Sequence, residues 1–203
     1  NIVARKGNIN APKIVISAHI DAKIGTPGAI DNATGVSVLL LLSQLLKDYN
    51  GTYLLELVAF NGEDYYSVPG QMKYIEQHQG NFENVILNIN IDGAGYKSGL
   101  SAFSPFDLPV ALKKIFDEVL LTHDNIEEGA PWVQGDHSIF VQFGRPAIAV
   151  SSSWFIENME CQDITHTQKD HPEIVNYDRL PEIATVIEDL IFYFGVGGEV
   201  DEI

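Results

Sequence analysis

Patterns typical of strands and of helices alternate along the chain, and this alternation limits the fold more than any other feature of the sequence. Short β-branched runs bounded by polar or glycine-containing turns predict strands at Asn1–Arg5, Lys13–Ala18, Tyr53–Phe60, Val85–Ile91 and Pro146–Val150. Apolar residues at helical spacing predict helices at about Thr34–Lys47, Gly70–His78, Leu108–Leu121, His137–Phe143 and Asp178–Phe194. This order predicts an α/β fold, a three-layer α/β/α sandwich around a mixed, mostly parallel central sheet.

Residues 1–203 are predicted to form one domain, because a chain of 203 residues that is 45% hydrophobic can bury a substantial core. The chain begins directly at a strand, without an initiator methionine, a basic segment or an apolar segment. We therefore expect an excised domain with a truncated N-terminus, and an upstream signal peptide is compatible with this start. Pro105–Pro109 predicts a loop, and the glycines at 197–198 predict a helix stop followed by a disordered tail over residues 197–203.

Charge and composition exclude several classes of function. Lys and Arg number 12 against 28 Asp and Glu, a formal charge of -16, which would repel a polyanion, so we expect no nucleic-acid partner. The longest apolar stretch, Val36–Leu46, is shorter than the roughly 20 residues that span a bilayer, so we expect no membrane partner. Cys161 is the single cysteine, which excludes an intramolecular disulfide and a cysteine-only zinc site. The motifs of serine hydrolases, thermolysin-like enzymes and P-loop proteins do not occur.

Acidic residues and a histidine follow three of the predicted strands. His19 and Asp21 follow the first core strand, Glu63 and Asp64 follow the next, and Asp92 follows the third. Ligands of open α/β sheets bind outside the carboxyl ends of the strands. We therefore expect these three separate regions of the sequence to bring metal-binding groups together at one place.

Two further residues join this set as candidates. Asp31 lies directly before a predicted helix, where it is equally interpretable as a helix N-cap and as a metal ligand. His166 lies in a polar loop, where a histidine is most often simply solvated. A protein without usable cysteines can nevertheless bind zinc only through imidazole and carboxylate groups, which makes His166 a candidate.

Six short motifs together resemble those of the M28 zinc aminopeptidases, in the family's order and over nearly the whole chain. They are HxD at His19–Asp21, GAIDNATG around Asp31, FNGED at Glu63–Asp64, NINIDG at Asp92, GDHSIF at Asp136–His137 and HTQKD at His166. The resemblance implies the zinc-exopeptidase, phosphorylase/hydrolase-like form of the α/β sandwich. It also implies two zinc ions bridged by Asp31.

The resemblance assigns a role to each matching residue. His19 and Asp92 are implied on one zinc, Asp64 and His166 on the other, with Asp31 between them. The family often has glutamate at the position of Asp64, and aspartate is one methylene shorter, which leaves the exact coordination open.

The catalytic residues implied are Glu63 and Asp21. Glu63 is implied as general acid and base for a metal-bound hydroxide that hydrolyses the N-terminal peptide bond. Asp21 is implied to hold the other ring nitrogen of His19 without binding metal. The expected partners are peptides with a free N-terminus.

Four residues are candidates for the surroundings of this site. Asp136 and His137 occupy an SDH-like position of the family, with Gly135 in place of serine, and are expected behind the ligands or in the pocket wall. The plainer interpretation is a helix-start aspartate with a surface histidine. Trp132 and Trp154 are candidates for the pocket, and Phe155 beside Trp154 is a further one, although two aromatic residues after a buried strand are equally often core or rim residues.

Two alternatives to an aminopeptidase are compatible with the same residues. One is a single-zinc acyltransferase similar to glutaminyl cyclase, which shares the expected fold. The other is a non-catalytic binding domain on that fold. The joint presence of all five candidate ligands and Glu63 favours an enzyme.

Overall fold

A computed structural model describes residues 1–65, 67–79 and 81–196. Its strands are β1 (Ile2–Lys6), β2 (Lys13–His19), β3 (Leu54–Phe60), β4 (Val85–Ile91), β5 (Ser101–Phe106), β6 (Ile126–Glu128) and β7 (Ala147–Ser152). Its α-helices are α1 (Thr34–Leu45), α2 (Pro69–Gln77), α3 (Val110–Leu120), α4 (His137–Gln142), α5 (Ser153–Asn158) and α6 (Arg179–Val196). Short helical turns lie at Ala29–Ala33, Leu46–Asp48 and Pro172–Ile174. The predicted tail, residues 197–203, lies outside the described residues.

The strands form one mixed seven-stranded sheet in the order β1-β3-β2-β4-β7-β5-β6. The central strands β3, β2, β4 and β7 are parallel, whereas β1 pairs antiparallel with β3 and β5 pairs antiparallel with β7. The predicted α/β fold with a mostly parallel sheet is therefore confirmed. The four parallel strands end at the same edge of the sheet, where ligands bind in folds of this kind.

Helices cover both faces of the sheet and bury its apolar side chains. On one face α1, α3 and α6 pack over the larger core, in which Ile16, Ile89 and Ile187 are fully buried. On the other face α2 and α4 pack over a smaller core that contains Phe60 and Phe140. Burial on both faces explains why the central strands are rich in apolar residues at positions facing either side of the sheet.

Three elements were not predicted, and all are short or atypical. The strands β5 and β6 contain residues that strands disfavour, a proline in β5 and two glutamates in β6, and α5 follows β7 directly without an intervening turn. The predicted loop at Pro105–Pro109 is wrong at its start, because Pro105 belongs to β5 and pairs with Ile148. Beyond Phe103, β5 has no paired residue on β6, so a residue without an N–H group is tolerated there.

The stretch Ala29–Asp48, which contains α1, is long and apolar enough by composition to cross a membrane. Within the fold, Val38, Leu39 and Leu42 of this stretch lie in the larger core. Packing against the sheet and α6 accounts for the apolar character of these residues.

Candidate metal centre

Three strands deliver candidate ligands to the carboxyl edge of the sheet. His19 is the last residue of β2, and Asp92 directly follows β4. Glu63 and Asp64 lie in the loop that leaves β3. Because β2 lies between β3 and β4 in the sheet, residues far apart in the sequence become neighbours.

Asp31 lies in the turn Ala29–Ala33 that precedes α1. It is not the N-cap of α1, since Ala33 occupies that position and no side chain caps the helix. The side chain of the next residue, Asn32, donates a hydrogen bond to the carbonyl of Ile91 at 2.8 Å and accepts one from the N–H of Gly35 at 3.1 Å. These bonds fix the turn beside the end of β4, so the carboxylate of Asp31 faces His19.

The five predicted ligands lie close together, with Asp31 in the middle of the group. Nε2 of His19 lies 3.0 Å from Oδ1 of Asp31 and 3.4 Å from Oδ1 of Asp92. Nε2 of His166 lies 3.1 Å from Oδ2 of Asp31 and 2.7 Å from Oδ1 of Asp64. Asp31 therefore stands between two histidines, one at each of its oxygens.

The donor atoms suit a cation. Ligand atoms of His19, Asp31 and Asp64 all lie within 4.8 Å of one another, and the three residues are buried. Nε2 of His19 and Oδ2 of Asp64 have no partner with hydrogen-bond geometry among the described residues. Buried polar atoms normally have a partner, and nitrogen and carboxylate oxygen are zinc ligands, so the residues present fit zinc.

The electrostatics of the cluster favour positive charge at its centre. Burial alone would lower the pKa of His19, but the carboxylates of Asp92 and Asp31 raise it well above its ordinary value. Burial alone would raise the pKa of Asp31, but its contacts with His166 and His19 hold it well below the ordinary value. The carboxylates thus stabilise a cation at this point, whether a protonated imidazole or a metal ion.

Asp21 lies beside the ligands but differs from the expectation in its partner atoms. Nδ1 of His19 contacts the main-chain oxygen of Asp21 at 3.0 Å, whereas its carboxylate is 3.9 Å away. The carboxylate accepts the N–H groups of Gly62, Glu63 and Asp64, the last two at 3.2 Å. Asp21 therefore touches both the ring of His19 and the loop that carries Glu63 and Asp64.

Glu63 lines the cavity above the ligands. Burial, and next the negative charge of Asp92, raise the pKa of Glu63 to about 8. Neither oxygen of Glu63 has a hydrogen bond within the described part of the chain. Its carboxyl group is therefore available to a bound molecule.

Asp136 and His137 lie behind the cavity wall. Asp136 is fully buried and accepts a hydrogen bond from Gln71 at 2.8 Å, and burial raises its pKa to about 7. The ring of His137 contacts the main-chain oxygen of Trp132 at 2.9 Å through Nε2, so His137 is not a surface residue. Gly135 has φ +105, and a Cβ there would lie 3.3 Å from Oδ2 of Asp92 and Nδ1 of His137. The glycine thus keeps this wall open where the family has serine.

The cavity has a volume of about 530 Å³ and includes one of the two predicted tryptophans. Trp132 lines it, together with Phe155 and Met159 from the other side. Trp154 is not among the lining residues, because its ring packs against Tyr96 with centroids 4.9 Å apart. Phe155, the residue after Trp154, therefore contributes the aromatic ring on this side of the cavity.

Asp170 contacts the site and was not predicted. It lies four positions after His166, within the HTQKD motif, yet it is buried and accepts hydrogen bonds from the main chain of Ile30 and Asp31. In the sequence, the one feature that could have singled out Asp170 is its position within the HTQKD motif. An acidic residue in a polar loop ordinarily indicates only a solvated surface.

These features define an α/β fold with a buried cluster of carboxylates and histidines, a candidate metal site, at the carboxyl edge of its sheet. Residues 1–191 match the sequence profile described as Peptidase family M28. The chain belongs to this family, and the relationship expected from the six motifs is confirmed.

Two curated relatives cover nearly all of this chain. Aminopeptidase YwaD of Bacillus subtilis is 24% identical over an alignment of 207 residues, which includes 94% of this chain and 43% of that protein. Uncharacterized protein YfbL of Escherichia coli is also 24% identical, over 95% of this chain and 70% of its own length. The chain thus spans less than half the length of the Bacillus relative.

Solved structures share the fold. An aminopeptidase from Aneurinibacillus sp. strain AM-1 superposes with a TM-score of 0.78 at 21% identity, over 95% of this chain and 47% of that one. BSAP, a zinc aminopeptidase from Bacillus subtilis, also superposes with a TM-score of 0.78, at 20% identity over 94% of this chain and 48% of that one. These likenesses establish the architecture.

Proposed function

We propose that this chain is the catalytic domain of a zinc-dependent aminopeptidase, which releases the N-terminal residue of peptides. One observation carries the proposal. The two histidines approach opposite oxygens of the buried carboxylate of Asp31. Two cations that share a carboxylate each bind one of its oxygens, and in this arrangement each would also have a nitrogen ligand of its own.

The contacts support a two-zinc centre bridged by Asp31. His19 and Asp92 would hold one ion, since they approach each other at 3.4 Å on adjacent strands. Asp64 and His166 would hold the other, since they approach each other at 2.7 Å. Membership in a peptidase family and the zinc aminopeptidases among the structural neighbours support zinc as the metal.

Glu63 is the residue that would move the proton. Zinc, when bound, supplies a Lewis acid that polarises the peptide carbonyl and lowers the pKa of water. Glu63 takes a proton from the attacking water and returns it to the leaving amine as the peptide bond breaks. Asp21 holds the main chain of Glu63, which keeps the carboxylate directed to the cavity.

The proposed metal centre explains a preference for a free N-terminus. Asp31, Glu63, Asp64 and Asp92 line the cavity, and two zinc ions would offset much of their negative charge. A free α-amine has a lone pair that could bind one of these ions beside the carboxylates, whereas the nitrogen of an acetylated N-terminus is an amide without a basic lone pair. Peptides with a free N-terminus are therefore the proposed substrates.

The test combines metal analysis with a substrate panel. Zinc per chain is measured by elemental analysis after zinc-replete purification. Release of a chromogenic amine from free and N-acetylated aminoacyl substrates is then measured with and without a chelator. About two zinc ions, chelator-sensitive release and no cleavage of acetylated substrates are expected.

Each alternative has its own outcome. About one zinc ion, with ammonia released from a glutamine-initiated peptide and no peptide-bond cleavage, would replace the proposal by a cyclase. Less than one zinc ion and no turnover would leave a binding domain.

A further inference from the structure

Asp170 joins two loops that approach the metal centre from different parts of the chain. Oδ1 of Asp170 accepts the N–H of Ile30 at 2.7 Å, and Oδ2 accepts the N–H of Asp31 at 3.1 Å. Its main-chain oxygen accepts the N–H of Ala29 at 3.3 Å. Three successive amides before α1 thus bind one residue, which has 1% of its surface exposed.

Both carboxylate oxygens are needed for these contacts. The amides of Ile30 and Asp31 each donate to a different oxygen, so the side chain must offer two acceptors. Asparagine has the same shape but offers one acceptor, and its NH₂ group would face an N–H group. Asp170 also cannot serve as a ligand of the centre in this geometry, because its oxygens face the backbone.

The His166 loop has no regular secondary structure and is held by turn and side-chain contacts. His19 ends a central strand, whereas His166 lies outside the helices and strands, with φ 61 and a side chain that is 49% exposed. Before His166, the side chain of Gln162 accepts two main-chain N–H groups of the loop. Directly after His166, the N–H of Asp170 donates to the carbonyl of Thr167 at 3.3 Å and closes a turn. Asp170 is thus the contact that ties the C-terminal side of His166 to the turn that carries Asp31.

We propose that Asp170 is a positioning residue that holds His166 at its distance from Asp31 and so sets the metal affinity on the His166 side of the centre. The proposal rests on the two-zinc site proposed above. The His19 side shares Asp31 but takes its other ligands from the ends of β2 and β4, so its affinity should depend less on Asp170. Loss of a residue that orients metal ligands typically lowers metal affinity about 10- to 100-fold.

The test measures zinc affinity in the Asp170→Asn variant. Metal-free protein is titrated with zinc in competition with a chromophoric chelator of known affinity. We expect one of the two zinc equivalents to bind about 10- to 100-fold more weakly than in the wild type. The other equivalent is expected to lose clearly less affinity, because His19 and Asp92 are held by β2 and β4.

Asp163→Asn is the matched control. Asp163 lies in the same loop, is exposed, and pairs with Lys169 at the surface. The same change from carboxylate to amide there should leave both zinc affinities unchanged. A loss equal to that of Asp170→Asn would attribute the effect to the charge of the loop and overturn the proposal.

A second readout requires no metal. Hydrogen exchange of the segment that contains the Ile30 and Asp31 amides is compared in metal-free wild type and variant. Asp170→Asn should accelerate exchange there, while β2 and β4 remain protected. If the variant does not fold, Asp170→Glu keeps two acceptors on a longer side chain and should weaken the same zinc equivalent.

Three outcomes overturn the inference while the proposed function stands. These are a variant that binds both zinc ions as the wild type does, one that loses both equally, and unchanged exchange at the Ile30 and Asp31 amides. A wild type that binds fewer than two zinc ions would instead overturn the two-zinc centre itself.

Discussion

Nε2 of His19 lies 3.0 Å from Oδ1 of Asp31, yet the two atoms lack hydrogen-bond geometry. His19 is fixed by the end of β2, and Asp31 by a turn that is bonded to the end of β4 and to Asp170. The backbone therefore holds both groups where they are. Two polar groups that lie this close without a hydrogen bond between them are expected where a cation binds both.

The bridging role of Asp31 predicts a loss of metal and of metal-dependent stability. In Asp31→Asn we expect lower zinc content and a smaller rise of the melting temperature on zinc addition. A ligand at 100 times its Kd stabilises the folded state by about 2.7 kcal/mol, and the variant should lose most of this gain. Elemental analysis and thermal unfolding with and without zinc measure the two effects.

Asp48→Asn is the control for this change, since Asp48 is exposed in the turn after α1. It should retain the zinc content and the thermal shift of the wild type. Wild-type zinc binding in Asp31→Asn would show that Asp31 is not a ligand.

Glu63→Gln should separate catalysis from metal binding. The amide keeps the size of the side chain but accepts no proton, so we expect turnover to fall about 100- to 10,000-fold. Zinc content should be unchanged, because Glu63 is not one of the five proposed ligands. Steady-state kinetics on an aminoacyl substrate, with zinc analysis of the same sample, is the measurement. Near-wild-type turnover would remove Glu63 from the mechanism.

The clustering of the candidate ligands was predictable because the ends of parallel strands lie at one edge of a sheet. His19, Asp92 and the Glu63–Asp64 pair follow apolar runs that are recognisable as strands, and parallel strands of one sheet end at one edge. The residues that fix the loops were less predictable. Asp170 accepts a backbone N–H of a distant segment and Asn32 donates to a distant backbone carbonyl, and no periodic pattern encodes such contacts.

The role of Asp21 illustrates the same limit. The spacing of the two residues predicts that Asp21 lies beside His19, as it does. The main-chain oxygen of Asp21 contacts the ring, however, and its carboxylate binds the loop after β3. Which atom of a residue is used depends on the path of the chain after β2. The short strands β5 and β6 were missed for a related reason, since their pairing partners, rather than their own sequences, define them.

Asp21→Asn should therefore act through the loop after β3. The carboxylate accepts three backbone N–H groups, and an amide offers fewer acceptor sites. We expect kcat to fall about 10- to 100-fold, the range for groups that orient metal ligands. Hydrogen exchange at residues 62–64 in the metal-free variant should rise with the loss of kcat. Unchanged exchange there would show that Asp21 acts on His19 alone.

Glu56 predicts an acid dependence of stability that is remote from the metal centre. Its side chain is fully buried, bonded to the hydroxyl of Tyr74 and to Arg5, each at 2.6 Å, with Lys13 at 3.6 Å. Burial alone would raise the pKa of Glu56, but Tyr74, Lys13 and Arg5 hold it below its ordinary value of 4.5. The folded state thus binds this proton less readily than the unfolded state. The stabilisation from Glu56 is complete above the ordinary pKa and is lost as the pH falls through the lower pKa of the folded state.

Glu56→Gln should therefore be destabilised by about 2 kcal/mol at pH 7, the scale of a hydrogen bond to a charged group. The difference from the wild type should shrink as the pH falls below 4.5, where the wild type loses the same charge. Urea unfolding of both proteins from pH 7 downward gives this difference directly. Glu76→Gln, at an exposed pair with Lys73 on the neighbouring α2, should cause no measurable change at any pH. A Glu56→Gln deficit that stays constant with pH would mean that shape, and not charge, makes Glu56 stabilising.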